Sequence, residues 1–156
     1  NFYGAKISKT KEEQVNMFGT ALNVLKGSWL LKSELAYFDE DAKRTKGLLG
    51  IEYNGVSDTL ISYDIAIEKR DGEDNNYQHA FRISSDFMNA TLKANYLISL
   101  FGSTMDEGGF QRAWVKYDIA DGIYANVGVV DYIGGSKRFD KVSNNDMVFT
   151  DVTYSF

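Results

Sequence analysis

TLISYDIAIEK, residues 59–69, places Ile61, Tyr63, Ile65 and Ile67 on one side of an extended chain and Ser62, Asp64, Ala66 and Glu68 on the other. Successive side chains of a strand point to opposite faces, so the segment predicts a strand with one apolar and one charged face. The same period of two recurs on both sides of it. Residues 28–39 set Trp29, Leu31, Leu35 and Tyr37 against Lys32, Glu34 and Ala36. Residues 77–88 set Phe81, Ile83 and Phe87 against Arg82, Ser84 and Asp86, and residues 91–101 set Leu92, Ala94, Tyr96, Ile98 and Leu100 against Lys93, Asn95 and Ser99. Within 110–120, Ala113, Val115, Tyr117 and Ile119 oppose Arg112, Trp114, Lys116 and Asp118. Further strands are predicted at 2–9, 15–26, 47–54, 123–132 and 146–156. In the 15–26 and 123–132 strands both alternating sets hold apolar residues, and a slip of one residue would exchange their faces.

Composition points the same way. The chain has neither Cys nor Pro but 14 Gly, 10 Tyr and 10 Phe, which suits many hydrogen-bonded strands with aromatic faces. Without Cys there are no disulfides, thiol nucleophiles or Cys-ligated zinc sites. A net charge of -5 argues against a nucleic-acid binder, which needs clustered Lys and Arg to neutralise phosphates. No apolar run reaches the 18 or so residues of a transmembrane helix, and none resembles the apolar segment of a signal peptide. A membrane position would therefore have to be that of a barrel. The first residue is Asn rather than Met, as expected of a mature or partial polypeptide.

The connectors alternate in length. Short ones fall at 26–28, 54–58, 88–90 and 121–122, and long polar ones at 10–14, 40–46, 70–76, 102–109 and 133–145. Such interleaving is the pattern of an up-and-down barrel with short turns at one rim and longer loops at the other. Strands of about 10 residues at roughly 3.3 Å each, tilted about 40°, project to about 25 Å, the height of an outer-membrane apolar band. The expected fold is thus all-β, an antiparallel up-and-down transmembrane β-barrel with about ten strands in one region, residues 1–156, located in the bacterial outer membrane. Counting back from Phe156 puts the short turns at the periplasmic rim. Aromatic girdles are then expected from Trp29, Tyr53, Phe87, Tyr117, Tyr154 and Phe156 near that rim, and from Tyr37, Tyr77 and Tyr132 near the other.

In DMVFTDVTYSF, residues 146–156, Val148, Thr150, Val152, Tyr154 and Phe156 share a face, and the sequence ends on Phe. This resembles the C-terminal signal of outer-membrane barrels read by the barrel-assembly machinery, which marks Tyr154 and Phe156 as assembly residues. Longer segments resemble a poorly characterised family of proteobacterial outer-membrane proteins: GSWLLKSELAYFD (27–39), LLGIEYNGVSDTLISYDIA (48–66), GGFQRAWVKYDIADGIYANVGVVDYIGG (108–135) and the terminal strand. Genes of that family commonly neighbour an RND-superfamily transporter and a second exported protein of unknown function. The resemblance implies transport of lipidic or hydrophobic substrates beside an RND-type exporter and a periplasmic partner. Members of the family are several times as long, so the chain is expected to be the C-terminal part of a larger barrel; a complete ten-stranded barrel is the alternative.

If the apolar faces meet lipid, the opposite faces line a lumen with Lys32, Arg82, Lys93, Arg112 and Lys116 beside Glu34, Glu52, Asp64, Glu68, Asp86, Asp118 and Asp151. A mixed-sign wall of this kind is either a salt-bridged lining or a selectivity-determining constriction. Basic residues in the long connectors, Lys43, Arg44, Lys137, Arg138 and Lys141 with Lys46, Lys69 and Arg70, are candidates for lipopolysaccharide phosphates. Acids beside each cluster make a solvated loop the competing account. Acidic runs at 71–74 and 106–107 lack EF-hand spacing, and no metal or other cofactor is expected. Nothing in the sequence places the lone His79 beside Ser84 or Ser85 as a catalytic pair, and no enzyme is expected. A structural or adhesive barrel with partner-binding loops is the rival function, and a soluble β-barrel enclosing a ligand a third.

Overall fold

The computed structural model describes residues 2–8, 14–40, 42–136 and 139–155. Ten antiparallel strands follow one another in a single sheet: β1 (Phe2–Ser8), β2 (Gln14–Lys26), β3 (Trp29–Asp39), β4 (Arg44–Val56), β5 (Thr59–Arg70), β6 (Asn76–Phe87), β7 (Leu92–Phe101), β8 (Gly109–Ala120), β9 (Ile123–Ile133) and β10 (Met147–Tyr154). Spatial order equals chain order, and β1 and β10 are the two edges of an open sheet. The sheet is therefore up-and-down, as the connectors predict, but these ten strands do not close on themselves. Among the described residues no helix is long and apolar enough to cross a membrane, which leaves crossing by strands untouched.

Register fixes which side chains share a face. Trp29 lies opposite Tyr53, then Ile61, Ile83, Tyr96, Ala113, Val129 and Val148 across successive strands. One position along, Leu31 leads to Ile51, Tyr63, Phe81 and Ile98. These rows make one apolar face. The two strands with ambiguous faces are settled by their neighbours. Phe18, Leu22 and Val24 join Tyr37, Ser33 and Leu31 on the apolar side, and Val127 and Val129 join Val115 and Ala113.

No second layer covers that face. Among the described residues Val15 is the one large apolar side chain that is buried, while Leu22 is 63% exposed, Leu49 59%, Val148 78% and Val152 70%. Soluble monomers rarely leave apolar patches beyond roughly a few hundred Å² open to water. Ordinary domains bury such a face against another layer. Here backbone ladders and the charged face hold the sheet, and the apolar face is free to meet something outside the chain.

The rims differ from expectation in detail. Arg44 to Lys46 belong to β4, so the β3–β4 connector shrinks to 40–43, and β4 continues through a bulge between Tyr53 and Val56 to leave a Ser57-Asp58 turn. A second bulge, between Asp118 and Ala120, precedes the Asp121-Gly122 turn. Gly27, φ 59°, and Gly122, φ 72°, take the left-handed conformations that two-residue hairpins demand. The β6–β7 turn has no glycine: Met88, Asn89 and Ala90 all sit at positive φ, 53°, 54° and 66°. A left-handed residue with a Cβ costs roughly 1–2 kcal/mol, less for Asn. Ala90→Gly should therefore raise the free energy of unfolding by about 1 kcal/mol. The urea midpoint of the refolded protein checks this; an unchanged or lowered midpoint would contradict it.

Candidate functional site

The face opposite the apolar one carries every residue expected to line a lumen. One row runs Leu30, Glu52, Ser62, Arg82, Leu97, Arg112, Val130, and the next runs Asn23, Lys32, Gly50, Asp64, Ala80, Ser99. Glu34 lies opposite Leu48, Lys46 opposite Glu68, and Asp86, Lys93 and Lys116 share a row with Asn126 and Asp151. Asp118 lies opposite Tyr124. The face forms a groove over β3–β6 lined by Lys32, Glu34, Leu48, Asp64, Ala66 and Gln78.

Most of its charges are paired across strands. Lys32 Nζ donates to Glu52 Oε1 at 2.7 Å and lies 3.3 Å from Asp64 Oδ1. It reaches Asp64 over Gly50, where a Cβ would collide with the Asp64 carboxylate and the Lys32 stem. Lys46 pairs with Glu68 at 3.0 Å and Lys93 with Asp86 at 3.2 Å across strands, and Lys116 pairs along β8 with Asp118 at 3.1 Å. Pairs this accessible contribute about 0.2–1 kcal/mol each, so they set side-chain positions more than they set stability. Arg112 is paired differently. Its guanidinium lies 4.7 Å from the Trp114 ring centre and 4.4 Å from that of Phe149, and Nε is buried without a hydrogen-bond partner. Lys116 sits 4.1 Å over the Tyr124 ring.

These contacts divide the face into two halves. Over β3–β5 it is mostly charged, whereas over β7–β10 aromatic rings stand among the charges of Lys93, Arg112, Lys116, Asp118 and Asp151. Phe139, from the 134–146 loop, packs against Phe101 at 5.3 Å and against Phe110 and Tyr132 at 6.5 Å, and the loop backbone at Gly135 lies against Gly108. Alternation assigns Trp114 to this side directly. Phe139 has no periodic neighbours, and the sequence offered no sign that its loop turns inward. Tyr132 belongs to this cluster and not to an apolar-face girdle, contrary to expectation, because β9 pairs it with inward Phe110. Trp29, Tyr53, Phe87 and Tyr117 do lie on the apolar face close to the short turns, and the Trp29 and Tyr53 rings are 4.4 Å apart.

Of the residues expected to bind lipopolysaccharide, Lys43 and Lys141 are exposed in connectors, and Lys137 and Arg138 lie outside the described residues. Arg44 is drawn back to the sheet. It pairs with Glu40 at 2.9 Å, approaches Glu68 at 3.8 Å and covers the Phe38 ring at 4.2 Å. Tyr154 is exposed on the apolar face with Val152 and Val148; Phe156 lies outside the described residues.

Polar groups on the apolar face are the least expected feature. His79 is buried there with Nδ1 2.7 Å from the Tyr63 hydroxyl. Tyr96 Oη donates to Gln111 Oε1 at 2.8 Å, and Gln111 Nε2 donates to Asp131 Oδ2 at 2.7 Å. Each member has a hydrogen bond, which lowers the cost of removing it from water, while His79 Nε2 is buried without a partner. Ser84 and Ser85 are engaged elsewhere, by Asn95 at 2.8 Å and Thr59 at 2.9 Å. Among the described residues no three His, Asp or Glu side chains gather as a metal site. Comparison with protein-family models, curated proteins and solved structures gives no match.

The bridge over Gly50 can be tested against a glycine on the opposite face, Gly47, where a Cβ meets nothing within 4 Å. Gly50→Ala should displace the ends of Asp64 and Lys32 and lower unfolding free energy by about 0.2–1 kcal/mol, the worth of the accessible pair it disturbs, and Gly47→Ala should leave it unchanged or slightly higher. Equal urea midpoints for the two variants would contradict the bridge.

Proposed function

We propose that the chain is a ten-strand segment of an outer-membrane β-barrel, its apolar face against lipid and its charged face lining the lumen. In this reading it serves transport of lipidic or other hydrophobic substrates beside an RND-type exporter and a periplasmic partner. One observation carries the membrane setting: an apolar face crosses the whole sheet uncovered, while the other face pairs its charges with one another. Lipid supplies the cover that the chain itself lacks, and the ladder pairs β2 to β9 on both sides, leaving the outer edges of β1 and β10 to be met by further strands of the barrel. Most charged side chains then need no lipid contact, because register turns them away from it; Asp131 on the apolar face is held by Gln111, and Lys26 and Lys69 stand at strand ends near the rims. The aromatic half of the lumen wall supports a hydrophobic cargo, and the exporter partnership rests on the sequence resemblance. Assembly would proceed through the barrel-assembly machinery, with lipopolysaccharide contacted by Lys43 and Lys141.

A structural or adhesive barrel is the second reading. The mutual pairing of the wall charges favours it, since paired charges leave few free to select a solute. Full-length protein in planar bilayers separates the two: conductance steps are expected of a transport barrel, and persistent silence would favour the structural one.

The membrane setting has its own test. The protein should need detergent for extraction and should change gel mobility on boiling. In bilayers of phospholipid brominated near the headgroup, the fluorescence that Trp29→Phe removes should be quenched. The fluorescence that Trp114→Phe removes should be spared. A protein soluble in plain buffer, or equal quenching of both, would contradict the proposal.

A further inference from the structure

The charged face sorts its cations. Lys32, Arg44, Lys46, Lys93 and Lys116 each have a carboxylate within 4 Å. Arg82 and Arg112 have no such ion pair among the described residues, and they stand on one row, separated by Leu97. Neighbouring strands lie about 4.8 Å apart, so the two Cα atoms are about 10 Å apart. Arg82 is exposed. The Arg112 guanidinium lies over the rings of both Trp114 and Phe149. Gly128 makes that stack possible: a Cβ there would strike the Phe149 ring, the Trp114 Cβ and the Ala113 carbonyl. A stacked guanidinium keeps its charge and its in-plane N–H fork, the geometry that meets a carboxylate in two parallel bonds. Leu97, Val130 and Met147 continue the row and offer apolar contact on either side of the charge.

We infer that Arg112, held between Trp114 and Phe149 with Arg82 across Leu97, is a binding site for a monoanionic amphiphile, an alkyl carboxylate whose tail lies along the aromatic half of the wall. The inference rests on this face bordering a lumen and narrows the hydrophobic cargo to acids. An acid on the protein would have neutralised Arg112 as it does the lysines; in its place are two rings, which orient the charge without consuming it. The guanidinium fixes the head, and stacking keeps it from swinging to the carboxylates of β3–β5. Arg82 contributes a second positive charge that draws the anion to the row.

The test uses the full-length protein in bilayers, with 10-bromodecanoate as probe and 10-bromodecanol as its neutral counterpart. The reading is the fluorescence lost in Trp114→Phe. Decanoate should quench it saturably, whereas the alcohol should act weakly and without saturation. Arg112→Gln should raise the half-quenching concentration at least tenfold. Arg82→Gln, exposed and outside the stack, should raise it several-fold even where Arg112→Gln folds poorly, and Lys116→Gln should leave it unchanged. Saturable quenching that survives both arginine substitutions, or equal unsaturable quenching by acid and alcohol, overturns the site. If Trp29-dependent fluorescence is still quenched by brominated phospholipid, that outcome leaves the barrel standing; if it is not, the barrel reading itself has failed.

Discussion

A strand cannot choose one environment for all its side chains. Alternation commits every other residue to each face, and in a single sheet with no second layer each face must be satisfied separately. Everything else in this molecule follows from that constraint. The apolar rows built on Trp29 and Leu31 find no cover within the chain, and Val15 is the lone buried large apolar side chain among the described residues. Hydrophobic burial, which drives the folding of water-soluble domains more than any other interaction, therefore has to come from outside the chain. The proposed lipid setting supplies it and asks of the backbone the continuous pairing that runs from β1 to β10, together with partners for those two edges.

The opposite face solves its problem internally. Lysines reach across strands to carboxylates, and small residues make room for them: Gly50 lies under the Lys32–Asp64 approach and Gly128 under the Phe149 ring. The same logic accounts for Arg44, a loop cation by sequence but an inward one by structure. Glu40, Glu68 and the Phe38 ring together outcompete solvent for its guanidinium. What the face leaves unpaired is as informative as what it pairs. Arg82 and Arg112 stand where the wall turns from charged to aromatic, and that boundary is where an amphiphile would find both of its parts matched.

Strand number, order and facing were legible in the sequence because period-two alternation is a strong local signal, and Asp64, Glu52 and Lys32 fall on one face by counting alone. The ends of strands were not. Arg44 to Lys46 look like loop because they are polar, yet they pair with β5 through backbone groups that carry no sequence signature. Tyr132 falls on the other side from the one its sequence suggests, because β9 is apolar on both faces and only its pairing with Phe110 decides. Phe139 and the Tyr96–Gln111–Asp131 chain were illegible for a related reason: Phe139 meets rings from three strands, the polar chain depends on the register of β7, β8 and β9, and no local pattern encodes such meetings. The resemblance of the strand segments implied a family and a transport partner; facing and pairing come from the residues themselves.

Leu48 and Leu49 provide the sharpest test of the two-faced sheet in its membrane setting. They are adjacent and chemically identical, yet Leu48 faces the groove beside Glu34 and Ala66, and Leu49 lies on the apolar face between Ser33 and Ile65. Arginine on a lipid-facing barrel position costs about 2–4 kcal/mol near the bilayer midplane, whereas on a lumen wall it is tolerated. The free energy of unfolding from vesicles, measured for Leu48→Arg and Leu49→Arg in the full-length protein, should therefore change little for the first and fall by that amount for the second. Equal losses, or a Leu49→Arg protein that folds as well as the parent, would contradict a sheet whose apolar face meets lipid.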